Sequence, residues 1–498
     1  MGSRAGVQPE LLEHAHGTQR AKRFLRIGAG LLEDSRRSKQ LALGESAEND
    51  GRLEQHHSTQ RGGLEQAMAK IRVCDVNDFF SLTGGGVRRY HLEKLRFMSR
   101  REDIEYHLLL PSDHAGIEVH GHARIHHVPA IPLLRSGYRL IVNPLRLRRI
   151  LRQIRPDIVE VGSPYNTPDW VRFALRGLSC QVVGFWHANF PVTDVGRVLA
   201  KVSRSLGRLG ERLGWAWARR TYGRFAATMA ATHTMVQQLE GNGVRGVVHA
   251  PLGVDTHMFH PRHRDEALRA SWSAGPDDIV LCYPNRLSEE KNYKPLLEAY
   301  ERLRTTTDLK PILVVAGYGP GKVEVRALAE QYKEVHYLGF LEKPRDMARL
   351  MASVDVVAVL CPYETFGLSA VEAMASGAAL LGSAHMSIGE LLATCRCGLA
   401  LEETTAQTVA DAWLELLKPG RAKLLGARGH AEALARYSWK ATFARIVEVY
   451  NAVLVQAASR PTLGVPSVSI AGLLAQDSDL PAEAEARKDM EHPHNGSF

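Results

Sequence analysis

Nowhere in the 498 residues do roughly 18 apolar residues run together, so a membrane-spanning helix is not expected. Leu25 to Leu32 is too short and interrupted for the apolar region of a signal peptide. A disulfide framework is missing too. The six cysteines (Cys74, Cys180, Cys282, Cys361, Cys395 and Cys397) are scattered, mostly within apolar runs, and read as reduced, buried thiols of a cytoplasmic protein. Cys395-Arg396-Cys397 is too closely spaced and too isolated for zinc. The dinucleotide fingerprint G-x-G-x-x-G fails as well, because Arg89 stands where the third glycine should follow Gly84 and Gly86. Asp-x-Asp occurs once, at Asp477 and Asp479, in an acidic, proline-containing tail; it reads as a decoy, and no metal is expected.

What is present is a soluble composition, 45% hydrophobic and 23% charged, with a formal net charge of +9. The positive charge is concentrated. Between Arg135 and Arg224 there are 17 Lys and Arg against 5 Asp and Glu, interleaved with apolar residues. Such a stretch suits an anionic membrane surface or nucleic acid, or is simply a solvated basic face.

Residues 1–67 have no sustained hydrophobic period, and the character changes at Met68, where an apolar strand follows a basic residue. The first 67 residues are therefore expected to be a disordered extension or a misassigned start. From there short apolar runs alternate with helical stretches, the pattern of parallel sheets covered on both faces. One series falls at 71–76, 105–110, 158–161, 182–186, 226–231 and 247–250, a second at 279–283, 312–316, 335–338, 356–360 and 379–381. The expected organisation is a first domain over 68–250, a breaker-rich linker over 251–276, a second domain over 277–437, an amphipathic helix over 438–457 and a disordered tail over 458–498. Both domains are α/β, Rossmann-like and doubly wound, and face a cleft.

Open parallel sheets bind ligands where strands lead into helices at their carboxyl ends. After strand 279–283 comes a loop with Arg286 and Lys291; after 312–316 come Gly317, Tyr318 and Gly319. After 356–360 come Glu364, Phe366, Gly367, Leu368 and Ser369, opening an apolar helix that contains Glu372. A carboxylate in such a helix needs a partner, and ribose hydroxyls suit an acceptor-only group. The N–H groups around Gly367 to Ala370 form an anion site at a helix start, and Arg286 and Lys291 add full charge for a diphosphate. Singly, each residue has an ordinary surface explanation. On successive strand ends together they describe a nucleoside-diphosphate-sugar site.

The stretch from Glu364 to Gly377, with its Glu-x7-Glu spacing, resembles the signature of retaining glycosyltransferases of family 4, which have the GT-B fold. Pro251 to Asp255, Phe259 to Pro261, Arg286 with Lys291, Ala316 to Pro320 and Leu338 to Phe340 are similar to further motifs of that family, in order, although Leu252 stands where the family often has Asn. The resemblance spans roughly residues 70–455 and is weaker in the first half. It implies that the C-terminal helix returns to the first domain, that Glu364 contacts the donor hexose and Glu372 its ribose, and that Arg286 and Lys291 hold the diphosphate. The base is expected near Gly339, Phe340 and Leu341. Gly85 and Gly86 open a helix after the first strand, and such small residues let backbone N–H groups approach a phosphate. His187, in a loop at a strand end, looks like the family's His-x-x-x-Pro histidine that touches the hexose.

The expected catalytic residues are thus His187, Glu364, Arg286 and Lys291. Those expected to bind the donor are Gly85, Gly86, Gly317, Gly339, Phe340, Phe366, Gly367, Leu368, Ser369 and Glu372. The resemblance implies retaining hexose transfer to a lipid-linked or polysaccharide acceptor, by front-face attack or through a covalent intermediate. No well-placed nucleophile is evident, which favours front-face attack, and the reaction is expected to need no metal. GDP-mannose is favoured as donor over UDP-sugars; no cofactor or nucleic acid is expected. An anionic membrane surface on the cytoplasmic side is the further expected partner. A Rossmann oxidoreductase and a catalytically inactive, membrane- or nucleic-acid-binding relative are the alternatives.

Overall fold

The computed structural model describes residues 70–78, 80, 85–133 and 138–458. The readings on residues 1–67, on Gly84, and on the tail with Asp477 and Asp479 lie outside these.

The first half supplies β1 (Ile71–Val76), β2 (Ile104–Ser112), β3 (Gly116–His120), β4 (Ala123–Pro129), the short β5 (Ile131–Pro132) and β6 (Arg139–Leu140), β7 (Ile158–Val161), β8 (Gln181–Phe185), β9 (Ala227–Ala230) and β10 (Val247–His249). Eight of them form a sheet in the order β10-β9-β8-β7-β1-β2-β4-β3, parallel throughout except where β3 meets β4. The second half supplies β11 (Val280–Tyr283), β12 (Ile312–Ala316), β13 (Val335–Gly339), β14 (Val356–Val359), β15 (Ala379–Ser383) and β16 (Gly398–Leu401). These form an all-parallel sheet in the order β13-β12-β11-β14-β15-β16. Strand order reverses between β1 and β7 in the first sheet and between β11 and β14 in the second. Those are the points where an open α/β sheet leaves a crevice.

The sequence expresses these central strands because helices cover both sheet faces, so every residue of Ile312–Ala316 and of Val356–Val359 is buried and apolar. The edge hairpin β3–β4 and strand β16 were not expected. β4 hides polar residues: His126 and His127 are buried, His126 against His107 at 2.9 Å and His127 against Glu118 at 2.8 Å. Paired imidazoles satisfy burial without an apolar run to signal it. Cys74, Cys282, Cys361, Cys395 and Cys397 are buried free thiols, whereas Cys180 is half-buried.

Helix Trp439–Ala458 crosses back to the first sheet. Tyr450 donates its hydroxyl to Glu160 Oε2 on β7 at 2.7 Å, and Phe443 packs 5.8 Å from the Tyr90 ring. Glu160 belongs to a fully buried ionic group in which Lys94 Nζ lies 2.8 Å from both Glu160 Oε1 and Asp75 Oδ2. Tyr90 and Tyr106 donate to those same two oxygens, Glu160 Oε1 and Asp75 Oδ2, at 2.7 and 2.9 Å. Charges this deep persist only when paired and hydrogen-bonded, so the crossing helix completes a network as well as a core.

The breaker-rich segment 251–276 is more ordered than its composition suggests. It contains helix Glu266–Ser271, and Val254 bridges to Ser438 at the foot of the crossing helix. Arg269 is fully buried there, bonded to the carbonyls of Ser353, Gly275 and Asp278 and to Asp355 at 2.9 Å. The guanidinium satisfies carbonyls that a turn-rich stretch would otherwise leave bare.

Candidate active site

At the β11 end of the second sheet, residues 285–292 are tied to the β14 end by side-chain amides. Asn285 Nδ2 donates to the Ala358 carbonyl at 3.1 Å and Asn292 Nδ2 to that of Leu360 at 3.0 Å. Tyr283 donates its hydroxyl to the Lys291 carbonyl at 2.8 Å, which fixes the far end of the loop. Lys291 Nζ then pairs with Glu364 Oε1, with the two side chains 25% and 18% exposed. Burial opposes the Lys291 charge most, but Glu364, Cys361 and Glu290 together hold the ammonium above its ordinary value. Arg286, by contrast, is exposed, and its guanidinium makes no hydrogen bond or ion pair among the described residues.

The loop carrying Glu364 is held from two sides. Ser387 donates its backbone N–H and hydroxyl to the Glu364 carbonyl at 3.3 and 2.7 Å. Thr365 Oγ1 donates to the carbonyl of His187, on the first lobe, at 3.1 Å. Gly367, at φ 82°, then turns the chain into helix Leu368–Ala375, which has no side-chain cap. Its first-turn N–H groups therefore have no side-chain acceptor, the condition for an anion site. A Cβ at Gly317 would stand 2.0 Å from the Asn285 carbonyl oxygen, so the loops after β11 and β12 touch backbone to backbone. Gly339 completes this edge through its carbonyl: the Gly317 N–H donates to it at 2.7 Å, and Phe340 beyond it is exposed.

The first lobe presents helix Gly86–Met98 to this rim. A Cβ at Gly86 would lie 3.1 Å from Leu368 Cδ1, so the two helix starts abut, whereas the same position at Gly85 is open. Three residues on, Arg89 Nη2 reaches Glu372 Oε1 at 3.4 Å. Glu372 is 15% exposed. Burial raises its carboxyl to about 7, against the pull of Arg89. His187 follows β8. Its ring stacks on Phe185 at 4.6 Å and meets the Tyr90 ring edge-on at 5.0 Å, leaving Nε2 buried without a hydrogen-bond partner. Burial, followed by the charge of His91, lowers this imidazole to about 3.

The structure thus brings together Gly86, His187, Lys291, Glu364, Leu368 and Glu372, with Ser369 reaching Asn285 Oδ1 at 3.5 Å. Arg286, Gly317, Gly339 and Phe340 stand on the outer rim. Phe366 points elsewhere: its ring is buried in the core, 6.3 Å from that of Tyr437, so only its backbone is left to meet a donor. Arg89, Thr365, Asn285 and Ser387 were not singled out as site residues in the sequence. Arg89 drew notice only for breaking a glycine pattern, and hydrogen bonds to carbonyls leave no sequence signal. A cavity of about 550 Å³ opens next to Tyr363, lined from both lobes by Asn189, Gln238, Asn292, Tyr363 and Met386 among others; neither Glu364 nor Glu372 lines it. His233, His249 and Glu390 are the one set among the described residues with ligand atoms close enough to share an ion. Both Glu390 oxygens already accept helix-start N–H groups, of His233 at 2.9 Å and Thr234 at 2.7 Å, and the two rings stack 3.9 Å apart. That is an interlobe helix cap.

Two parallel sheets facing one another, with strand-end cations, carboxylates and helix starts between them, define a GT-B transferase. The family described as "Glycosyltransferase Family 4" matches residues 84–258 and "Glycosyl transferases group 1" matches residues 264–429, together more than half of the chain. The chain belongs to the group 1 glycosyltransferases of family 4 and is a glycosyltransferase. It is 29% identical, over 77% of its length and 97% of the relative's, to a GDP-mannose-dependent alpha-(1-6)-phosphatidylinositol dimannoside mannosyltransferase of Mycobacterium tuberculosis. It is 28% identical, over 77% and 98%, to a GDP-mannose-dependent alpha-mannosyltransferase of Mycolicibacterium smegmatis. Among solved structures, sucrose-phosphate synthase from Thermosynechococcus elongatus superposes with a TM-score of 0.63 at 17% identity, over 78% of this chain and 100% of that one. Anabaena HepE, in complex with UDP and glucose, does so with 0.57 at 17% identity, over 77% and 99%. These two establish the shared fold.

Proposed function

We propose that this enzyme transfers a hexose from a nucleoside diphosphate to a lipid-linked acceptor, with retention at the anomeric carbon and without a metal. GDP-mannose is the first donor to consider, then UDP-sugars; a polysaccharide acceptor is the variant reading. The observation that carries the proposal is the pairing of Lys291 with Glu364 beside the start of helix Leu368–Ala375, with Glu372 on the same helix. Diphosphate charge falls on Arg286, Lys291 and the helix-start N–H groups, a set able to stabilise the leaving group. Glu364 accepts from the hexose hydroxyls and Glu372 from the ribose. In the transfer, the bond from C1 to the phosphate oxygen breaks, the acceptor oxygen bonds to C1 on the same face, and its proton passes to the departing phosphate. The names of both mycobacterial relatives support the donor, and that of the first supports the lipid acceptor. A thermal-shift screen tests the donor: GDP-mannose at 100 times its dissociation constant should add about 2.7 kcal/mol. Stabilisation by UDP-sugars alone would reassign the base, and none by either would refute the site.

The acceptor reading includes an anionic membrane at the cytoplasmic face. Among the described residues no helix is long and apolar enough to cross a membrane. Helix Arg204–Tyr222 buries Gly207, Gly210 and Gly214, while Leu206, Leu209 and Leu213 stay exposed. Val198 and Val202, 75% exposed in the latter case, extend this apolar face, and Arg197, Lys201, Arg204, Arg208 and Arg212 are interleaved with it. Two aromatic residues of this stretch are not part of the face. Trp215 is buried against Trp186 and Trp217 donates to the Pro164 carbonyl at 2.9 Å. The protein should float with anionic vesicles at low salt and lose them near 1 M, where screening shortens to about 3 Å. Leu209→Asp should weaken the low-salt binding; equal binding to neutral vesicles would contradict the electrostatic part.

A further inference from the structure

We infer that Arg89, from the first lobe, orients and charges Glu372 on the second, so that the ribose acceptor is complete only when the lobes meet. The inference rests on the reading of Glu372 as the ribose-binding carboxylate. Arg89 lies one turn into helix Gly86–Met98, and its guanidinium is held on three sides. It is 3.4 Å from Glu372 Oε1 and 3.7 Å from Glu93 Oε1, and it lies 5.7 Å from the centre of the Phe259 ring in the interlobe segment. Glu93 in turn pairs with Arg96 at 2.9 Å, so its charge is shared. Arg89 takes one carboxylate oxygen of Glu372, and no other hydrogen bond to that carboxylate is seen among the described residues. The second oxygen remains available to hydroxyl donors.

The electrostatics give this geometry a consequence. Glu372 is the single charged residue of helix Leu368–Ala375. Of the elements packed on that helix, Arg421–Arg436 brings His430, bonded through Nδ1 to the Ala375 carbonyl at 2.8 Å. Pro344–Ser353 brings Arg349, which is paired with Asp265. The charges that act on Glu372 are those of Arg89, which favours ionisation, and Glu93, which opposes it; burial opposes it more than either. With Arg89 in place the carboxyl sits at about 7. Without it, the value rises further, and at neutral pH the group becomes a neutral acid that has lost acceptor capacity. Arg89 is thus a positioning residue: it acts on the ribose through Glu372.

The test is calorimetric binding of free GDP and UDP by the full-length enzyme from pH 6 to 9, for wild type, Arg89→Gln, Arg89→Lys and Glu372→Gln. Wild-type affinity should rise with pH through about 7 as the carboxylate forms. Arg89→Gln should bind about fivefold more weakly near pH 7, because an upward shift of one unit lowers the ionised fraction there from about a half to about a tenth. It should recover most of that loss by pH 9. Arg89→Lys should fall between, and Glu372→Gln should be weak at every pH, supplying the baseline for titration of the nucleotide's own phosphate. A loss in Arg89→Gln that is the same at all pH values would mark a merely structural residue and overturn the inference. So would wild-type binding by Arg89→Gln beside weak binding by Glu372→Gln, which would leave the ribose reading standing. Wild-type binding by Glu372→Gln would refute the ribose reading, and this inference with it.

Discussion

Arg286→Ala should lower kcat by about 10²–10³ while leaving the melting temperature at its wild-type value, since one electrostatic contact to a departing group is typically worth that much. The exposed guanidinium makes no contact among the described residues whose loss would unfold anything. Lys291→Ala should lose at least as much rate, but less cleanly. Its ammonium neutralises Glu364, 18% exposed, so the variant also leaves a half-buried carboxylate uncompensated. Lys291→Arg keeps the charge and separates the two effects: it should restore the melting temperature and only part of the rate. Initial rates with Mg²⁺ chelated, beside melting curves, are the measurement. Arg286→Ala within a few-fold of wild type under those conditions would remove it from the diphosphate site.

How these residues could be read from the sequence differs from one to the next. Lys291, Glu364 and Glu372 were legible because each sits a fixed distance beyond a short apolar run, and parallel strands with both faces covered must be apolar throughout. The ends of β1, β7 and β12 could be placed to the residue for the same reason. β4 could not, because its histidines are buried as pairs. Nor could the pairing of Arg89 with Glu372, 283 residues apart, since only the meeting of the lobes creates it. The hydrogen bond from Thr365 to the carbonyl of His187 is of the same kind, since any residue supplies a carbonyl. Phe366 shows the opposite failure. Its motif suggested a donor-facing role, but large rings contribute most when buried, and its ring is packed inside.

Glu372→Ala should weaken free nucleoside diphosphate by about 1.5–3 kcal/mol, the worth of a hydrogen bond to a charged group, whereas Glu364→Ala and His187→Ala should leave that affinity nearly unchanged and lower kcat strongly. The division follows from position. Glu364 precedes the helix start that would hold the phosphates, so under the proposed reading its carboxylate would reach the hexose on the far side; Glu372 lies on the helix itself and would meet the nucleotide. His187 approaches from the first lobe, and its backbone is joined to the Glu364 loop through Thr365. Its ring has a single task open to it. With the imidazole lowered to about 3 it stays neutral through the working range, so the role we propose for it is to exchange hydrogen bonds with a hydroxyl and take no proton there. The pH profile of kcat should accordingly show no step that disappears in His187→Ala. Calorimetry with the free diphosphate, beside initial rates from pH 5.5 to 9, measures all of this. If His187→Ala weakens the diphosphate as much as Glu372→Ala does, His187 is a phosphate contact or a prop of the first lobe. Loss of a kcat step near pH 6 in that variant would show instead that the ring opens to solvent during turnover and carries a proton.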